Sequence, residues 1–431
     1  LASVLLLGSG VLRAQDRDTK VRNDRESFER SKGWIYNDLE EGIRVAKAAG
    51  KPMLVVFRCI PCEACQRFDD DVARRDPILR DTMDKFVCVR IVQANRIDLR
   101  HFQFDFDQSF AVVLINPDLT VYGRYGTRSE RPESDDISLQ GLRKAMEAAL
   151  GMHREYELCR PELADKQARP TRYATPRDYP SLAGKYQPTL DYQGKPARSC
   201  LHCHQVREAE RRVYRDVGDA MPDKVLFPYP DPAVLGLAMD PKEMAKVERV
   251  SPGTPAARAA IEAGDEIVKL DGQPLLSVAD LQWVLHNAPS AARLPAVVRR
   301  DARTLSLTLD LPEGWRRGNI SWRATTWDLR RMAFGGMVLD DLTDEQRTRE
   351  NLPKDRMALR VRHIGEFGEH AVAKRAGFRK DDVVVAFDGL RARMTESDLI
   401  AHAVQLRRPG DQVVVSILRD GETKSLSLTL P

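Results

Sequence analysis

The sequence predicts a multidomain chain in which an α/β domain is followed by an irregular segment and two β-rich repeats. Three observations carry this. Residues 34–153 alternate helical spacing with continuous apolar runs, and prolines then recur at short intervals to about residue 232. Beyond that, Asp265-Glu266-Ile267-Val268-Lys269-Leu270-Asp271-Gly272 returns as Asp382-Val383-Val384-Val385-Ala386-Phe387-Asp388-Gly389. A chain of 431 residues has the length for about three domains, each with its own core.

In the first domain, Leu39, Ile43, Val45 and Ala46 are spaced for a helix over 37–49, which Gly50 ends. Residues 53–57 form a continuous apolar strand of the parallel-sheet kind, with further strands over 86–92 and 111–115. Asn116-Pro117-Asp118 turns the chain into Val121-Tyr122-Gly123 as a hairpin. Leu139, Leu142, Met146, Leu150 and His153 share one face of a closing helix with Ser138 as its N-cap. In the repeats, Ala-rich helical segments at 255–263 and 370–377 precede the shared motif. Helices at 277–287 and 395–406 follow it, as duplicated domains would have.

Lys and Arg total 68 against 64 acidic residues, and no basic cluster carries interleaved aromatics, so a nucleic-acid partner is not expected. The chain opens on an apolar run ending at Arg13-Ala14-Gln15, which reads over residues 1–15 as the remnant of a secretory signal. That run is too short to span a bilayer, and no transmembrane segment is expected. The expected location is therefore periplasmic or otherwise exported, with residues 16–32 as a solvated charged arm.

The most specific motif is Cys200-Leu201-His202-Cys203-His204, the spacing that attaches a c-type haem. Two thiols add to the haem vinyl groups and His204 ligates the iron, so haem c is the expected cofactor. A disulfide, or a fragment of a zinc site, are the other readings. Residues 153–231 offer too little apolar surface for a haem pocket of their own, so a haem would borrow packing from a neighbouring domain. His153, Met221, Met239 and Met244 are candidates for its distal ligand.

A second cluster runs Cys59-Ile60-Pro61-Cys62-Glu63-Ala64-Cys65, where a strand ends and a helix begins. At a helix N-terminus the unpaired amides favour a thiolate at Cys62, and Cys65 lies one turn on. The readings are a redox dithiol, a soft-metal site that includes Cys59, or inert core thiols. Cys88 reads as a core residue, and Cys159 has no assigned role. With its strand order, this region over 33–152 resembles the thioredoxin family, which implies Cys62 as attacking and Cys65 as resolving thiol. It departs from the family at Val56, where a buried aspartate is usual, and at Ser109-Phe110-Ala111, which lacks the proline that faces the dithiol. Glu63 adds a negative charge beside the thiols.

Ser251-Pro252-Gly253-Thr254-Pro255, Ala263-Gly264-Asp265 and Asp271-Gly272-Gln273-Pro274 resemble PDZ domains of the bacterial protease-associated type. The two copies span 232–313 and 326–431, and the family's architecture implies partly open β-barrels. The resemblance implies that a protein carboxyl terminus adds as a strand beside Leu235, Gly236 and Leu237 in the first copy, and beside Gly335 and Gly336 in the second. An insertion around 341–356 marks the second copy. The bland reading is two packing domains that bind nothing. No Gly-x-Ser-x-Gly motif occurs, so protease activity is not expected.

The whole arrangement resembles exported bacterial thioredoxin-family proteins with carboxyl-terminal PDZ domains. The function expected is thiol–disulfide or electron transfer, with haem and dithiol doing chemistry and PDZ domains docking the partner. The alternative is a non-enzymatic adaptor on an inert thioredoxin fold.

Overall fold

The computed structural model describes the backbone from Leu5 onwards apart from Lys32, Glu63 and Ala64, and side chains from Arg17 onwards. Of the expected leader, residues 1–4 and the side chains of 5–15 therefore lie outside the described residues. The chain forms two compact units, residues 1–206 with 229–315 and residues 207–228 with 316–431.

The first unit begins with α1 (Leu5–Glu29), β1 (Ile35–Tyr36), α2 (Leu39–Ala49), β2 (Met53–Arg58), α3 (Gln66–Ala73) and α4 (Pro77–Met83). It continues with β3 (Val87–Ile91), β4 (Phe110–Ile115), β5 (Val121–Tyr125) and α5 (Leu139–Arg154). The strands lie in the order β1-β3-β2-β4-β5. β3 runs parallel to β1 and β2, while β4 is antiparallel to β2 and β5. Every residue of β2 and β4 is buried, which is why both read as unbroken apolar runs. The predicted caps are in place: Ser138 accepts from Gly141 N, and Gly50 ends α2 at φ 60°, a left-handed conformation that suits glycine.

The charged stretch after residue 15 is not a solvated arm. It continues α1, and Val21, Asp24 and Phe28 share one helix face. Val21 is buried, and Phe28 packs edge-on to Trp34 with ring centroids 5.9 Å apart. Asp24 lies 2.8 Å from the buried Arg90. Arg90 in turn meets Asp69 at 2.7 Å, and Arg58 meets the same carboxylate at 3.0 Å.

The proline-rich segment is built of short helical turns, including Tyr156–Cys159, Arg160–Lys166 and Pro196–Ser199, before the regular helix α6 (Cys203–Arg215). Its anchors are buried in the first unit, with Leu163 and Leu201 fully enclosed.

The first repeat pairs β6 (Leu237–Met239) with β7 (Val247–Val250). Its second sheet has β8 (Glu266–Leu270), β9 (Gln273–Pro274), β10 (Ala292–Arg300) and β11 (Arg303–Leu311) in the order β11-β10-β8-β9. Helix α7 (Val278–Asn287) docks by its N-terminus on β5. There Asp280 sits 2.9 Å from Lys166, both about 1% exposed, and accepts Arg124 N at 3.1 Å. The Arg124 guanidinium lies 3.7 Å from the Trp283 ring centroid. Burial pulls Lys166 below the ordinary lysine pKa, against the pull of Asp280.

The second unit contains α8 (Thr326–Phe334), β12 (Met337–Asp341), α9 (Asp344–Arg349), β13 (Leu359–Ile364) and β14 (Val383–Phe387). α10 (Glu396–Leu406), β15 (Gln412–Arg419) and β16 (Glu422–Thr429) complete it, and its sheet follows chain order from β12 to β16. The sheets of both repeats are open and are not closed into barrels. The expected insertion lies between β12 and β13, and a fully buried guanidinium organises it. Arg347 donates to Leu342 O at 2.8 Å and Pro353 O at 3.2 Å, and it meets Asp341 at 2.7 Å.

Removing Asp69 leaves two buried guanidiniums without their shared carboxylate. Asp69→Ala is expected to cost about 3–5 kcal/mol, the range for breaking a buried ion pair from one side. The urea midpoint measures this. A shift no larger than that of an exposed control such as Asp81→Ala would contradict it.

Candidate functional site

The end of β2 and the segment before α6 bring together cysteines that lie far apart in sequence. Cys59, Cys200, His202 and Cys203 line one small cavity of about 10 Å³, closed on its other sides by Phe57, Val92 and Ile97 among others. Cys59 Sγ lies 3.1 Å from His202 Nδ1. Cys62 closes a turn by donating its N–H to Cys59 O at 3.1 Å, and it remains half-exposed.

Arg58 shapes this turn. Its Nη2 donates to Cys62 O at 2.8 Å and its Nη1 to Ser109 O at 3.2 Å, while Nε is held by Asp69 at 3.0 Å. Asn95, wholly buried, fixes the opposite wall. Its Oδ1 accepts Leu201 N at 2.7 Å, and its Nδ2 donates to Ser199 O at 2.9 Å and Gln187 O at 2.8 Å. One side chain thus ties the Cys200–Cys203 segment to the loop after β3.

Cys65 is placed differently. Helix α3 starts at Gln66, so Cys65 is its N-cap residue, at φ 60°, and Cys62 lies before the first turn. The Cys65 thiol belongs to the core with Phe68, Val72 and Phe110. Burial raises its pKa, with a hydrogen bond from Ser109 opposing the rise. The helix-start argument for Cys62 therefore does not describe this geometry. The thiol that the turn sets against Cys62 is Cys59. Two overlapping Cys-x-x-Cys spacings were present in the sequence, and only the fold separates them.

Desolvation dominates the electrostatics. Burial pushes the Cys59 thiol up to about 12, with the neighbouring Cys62 adding to the rise and Arg58 opposing it. Cys203 and Cys200 are raised further by burial, and Cys59 adds to both. Burial also pulls His202 down to about 4, helped by His204 and Arg17, so its imidazole is neutral at pH 7. The His202 and His204 rings lie parallel with centroids 5.4 Å apart.

These residues do not fit a haem as they are packed. The cavity beside Cys200 and Cys203 holds one water at most, whereas a cofactor of that size needs about 300 Å³ or more. Cys200 is 3% exposed, and its thiol is aimed at Val92 O, 3.6 Å away. Among the described residues, no group of three His, Cys, Asp or Glu side chains is arranged to hold a metal ion.

The two repeats differ at the strand where a peptide would add. In the first, no strand among the described residues pairs with the second edge of β6, which starts beside Gly236 and Leu237. Gly236 has φ 83°, and its N–H turns back to Ala233 O at 2.9 Å. Leu235 and Leu237 are core residues that hold the loop in place. In the second repeat, the N–H groups of Gly335 and Gly336 cap α8 by donating to Arg331 O at 3.0 Å and Arg330 O at 3.1 Å. Leu339 N, in β12, donates to Glu396 at 2.8 Å, and Arg330 grips that buried carboxylate at 2.6 Å. The loop amides are bonded from within in both repeats, at Gly236 as at Gly335 and Gly336. The difference lies at the strand amide of Leu339, which Glu396 and not the insertion occupies.

Comparison with known proteins agrees with this architecture. Residues 34–117 match the family described as thioredoxin-like, and residues 233–311 and 369–430 match the PDZ domain family. The chain carries a thioredoxin-like domain followed by PDZ domains. Among its relatives is a serine protease HtrA-like protein of Staphylococcus epidermidis, 27% identical over 39% of this chain and 26% of that protein. The periplasmic serine endoprotease DegP of Escherichia coli is 32% identical over 18% of this chain and 16% of its own length. The regulator of sigma-E protease RseP of Escherichia coli is 39% identical over 16% of this chain and 14% of its own. The chain thus spans about a quarter or less of each. A solved HtrA-type protease, AlgW with decapeptide, is 14% identical over 33% of this chain and 50% of its own, with TM-score 0.22.

Because burial pushes the Cys59 thiol up to about 12, its alkylation in the native protein is expected to be slow at pH 7. It should rise about tenfold per pH unit through the alkaline range, as the thiolate fraction does. Half-exposed Cys62 is expected to be labelled first. Mass mapping after timed iodoacetamide treatment checks both, and equal labelling of Cys59 and Cys62 at pH 7 would contradict them.

Proposed function

We propose that the protein is an exported thiol–disulfide exchange protein that works through Cys59 and Cys62 and is brought to protein partners by its first PDZ repeat. The observation that carries this reading is the Cys59–Cys62 turn, with Cys62 facing solvent and Cys59 behind it against His202. Cys62 attacks a substrate disulfide and releases one substrate thiolate. Cys59 then attacks the Cys62 sulfur, forms the Cys59–Cys62 disulfide and releases the second thiolate. Cys65, inside the core, supports the fold and takes no part in this step.

The apolar start of the sequence supports export, as does likeness to a relative named as periplasmic. No described helix is long and apolar enough to cross a membrane. The unpaired edge of β6 supports strand addition by an extended carboxyl terminus at the first repeat. The raised pKa values of the buried thiols favour the second reading, an adaptor whose thioredoxin-like domain is inert.

Redox titration against glutathione separates the two readings. A two-electron transition is expected that is lost in Cys59→Ser and in Cys62→Ser but kept in Cys65→Ser. Loss in Cys65→Ser with survival in Cys59→Ser would restore the Cys62–Cys65 pairing, and no transition at all would leave the adaptor. Intact mass on the same samples reads covalent haem at Cys200 and Cys203, with His204 as its iron ligand, as the added mass of the macrocycle.

Peptide binding is tested on the full chain with a carboxyl-terminal peptide library. Gly236→Ala places a Cβ 2.2 Å from Thr254 and should abolish binding, while Glu396→Gln should leave it unchanged. Binding that survives Gly236→Ala would move the docking site elsewhere.

A further inference from the structure

Cys200 and Cys203 do not fit a haem as they are packed, and the proposed function gives them no other role. They are nonetheless the most deliberately placed thiols in the protein. A buried asparagine holds their segment at Leu201 N and the adjoining Ser199 O, and the segment meets the end of β2 around one small cavity.

We propose that Cys200 and Cys203 form a second, internal dithiol that exchanges a disulfide with Cys59 across this void, so that the first unit contains a two-dithiol relay. The proposal rests on the reading of Cys59 and Cys62 as the working pair. Three observations carry it. Cys59, Cys200 and Cys203 line the same cavity of about 10 Å³. Cys59 is the thiol common to both pairs, joined to Cys62 by the turn and to the second segment by the 3.1 Å contact with His202 Nδ1. Each pair has one partly exposed and one buried thiol, Cys62 with Cys59 and Cys203 with Cys200, and the two buried thiols face the shared cavity.

The step balances without an outside reagent. With Cys59 and Cys62 reduced and Cys200–Cys203 oxidised, the Cys59 thiol passes its proton to His202 Nδ1 only as its sulfur bonds to Cys203. An imidazole pulled down to about 4 cannot first ionise a thiol pushed up to about 12. As the Cys59 sulfur attacks Cys203 Sγ, the Cys200–Cys203 bond breaks, and Cys200 leaves as a thiolate that takes the proton from His202. Cys62 then loses its proton to solvent and attacks Cys59 Sγ. The Cys59–Cys203 bond breaks, and Cys203 leaves and is protonated from solvent. Two electrons pass from the Cys59–Cys62 pair to the Cys200–Cys203 pair, and the exchange runs equally in reverse. His202 touches a reacting sulfur and is the proton carrier of the first transfer.

The test uses the full chain. Cys62→Ser combined with Cys200→Ser leaves Cys59 facing Cys203, and oxidation with glutathione disulfide should trap a Cys59–Cys203 bond as the main product on peptide mapping. In the wild type, titration should show two couples, one of which disappears in Cys200→Ser. His202→Asn should slow transfer between the pairs at least tenfold, followed by rapid acid quench and alkylation, while both midpoints stay where they were.

If the Cys59–Cys62 couple is present but the trapped variant carries only glutathione on Cys59, the relay is wrong and the proposed function stands. If no Cys59–Cys62 couple exists, that reading fails and the relay with it. Covalent haem at Cys200 and Cys203 in protein from its native compartment also overturns the relay. Unchanged transfer in His202→Asn removes the proton route assigned here.

Discussion

One carboxylate governs the geometry of the thiol site. Asp69, on α3, is gripped by Arg58 from β2 and Arg90 from β3, and Asp24 from α1 answers the remaining charge on Arg90. Buried charges of this kind are tolerated only when each is paired and its remaining hydrogen bonds are filled. Arg58 fills its own by donating to the carbonyls of Ser109 and Cys62, and so the ion network reaches directly into the backbone of the cysteine turn. The thioredoxin family's usual buried aspartate is absent at Val56. Charge near the thiols is supplied here by a guanidinium held from behind.

Burial and reactivity pull against each other at this site. Enclosing Cys59, Cys200 and Cys203 raises the pKa of each thiol, which slows attack on any partner met from solvent. The same enclosure places sulfurs beside one another and beside a neutral imidazole, and fixed proximity replaces a low pKa as the source of rate. Cys62 and Cys203 are partly exposed, while Cys59 and Cys200 are buried.

Sequence periodicity read the scaffold well because scaffold positions repeat. The strands at 53–58, 87–91 and 110–115, the caps at Ser138 and Gly50, and the paired repeats all follow from apolar spacing and turn chemistry. Residues 16–32 misled because charge dominates their composition. The apolar residues that dock that helix, Val21 and Phe28, are few, and its other docking contacts come from charged residues, Asp24 to Arg90, Asp18 to Ala197 N and Arg22 to Tyr192 O. The site was legible as cysteines but not as pairs. Cys62 has a Cys-x-x-Cys neighbour on either side, and the choice between Cys59 and Cys65 depends on where α3 begins. His202 and Asn95 gave no signal, since their roles arise from contacts between distant segments. Glu396 was equally silent, although it decides whether the edge of β12 is open.

Lys166, Arg124 and Asp280 meet in a buried seam between the first sheet and α7. Domains that recombine freely in evolution share thin, wet boundaries, so that a gene fragment carries its whole core with it. Here the first PDZ repeat keeps a buried carboxylate whose cation comes from the proline-rich segment, and the segment's lysine has no counter-charge without the repeat. A gene rearrangement cutting at the sequence-level boundary near residue 232 would strand both charges in their separate products. The first PDZ repeat of this chain is separable in sequence without being separable in its buried charges.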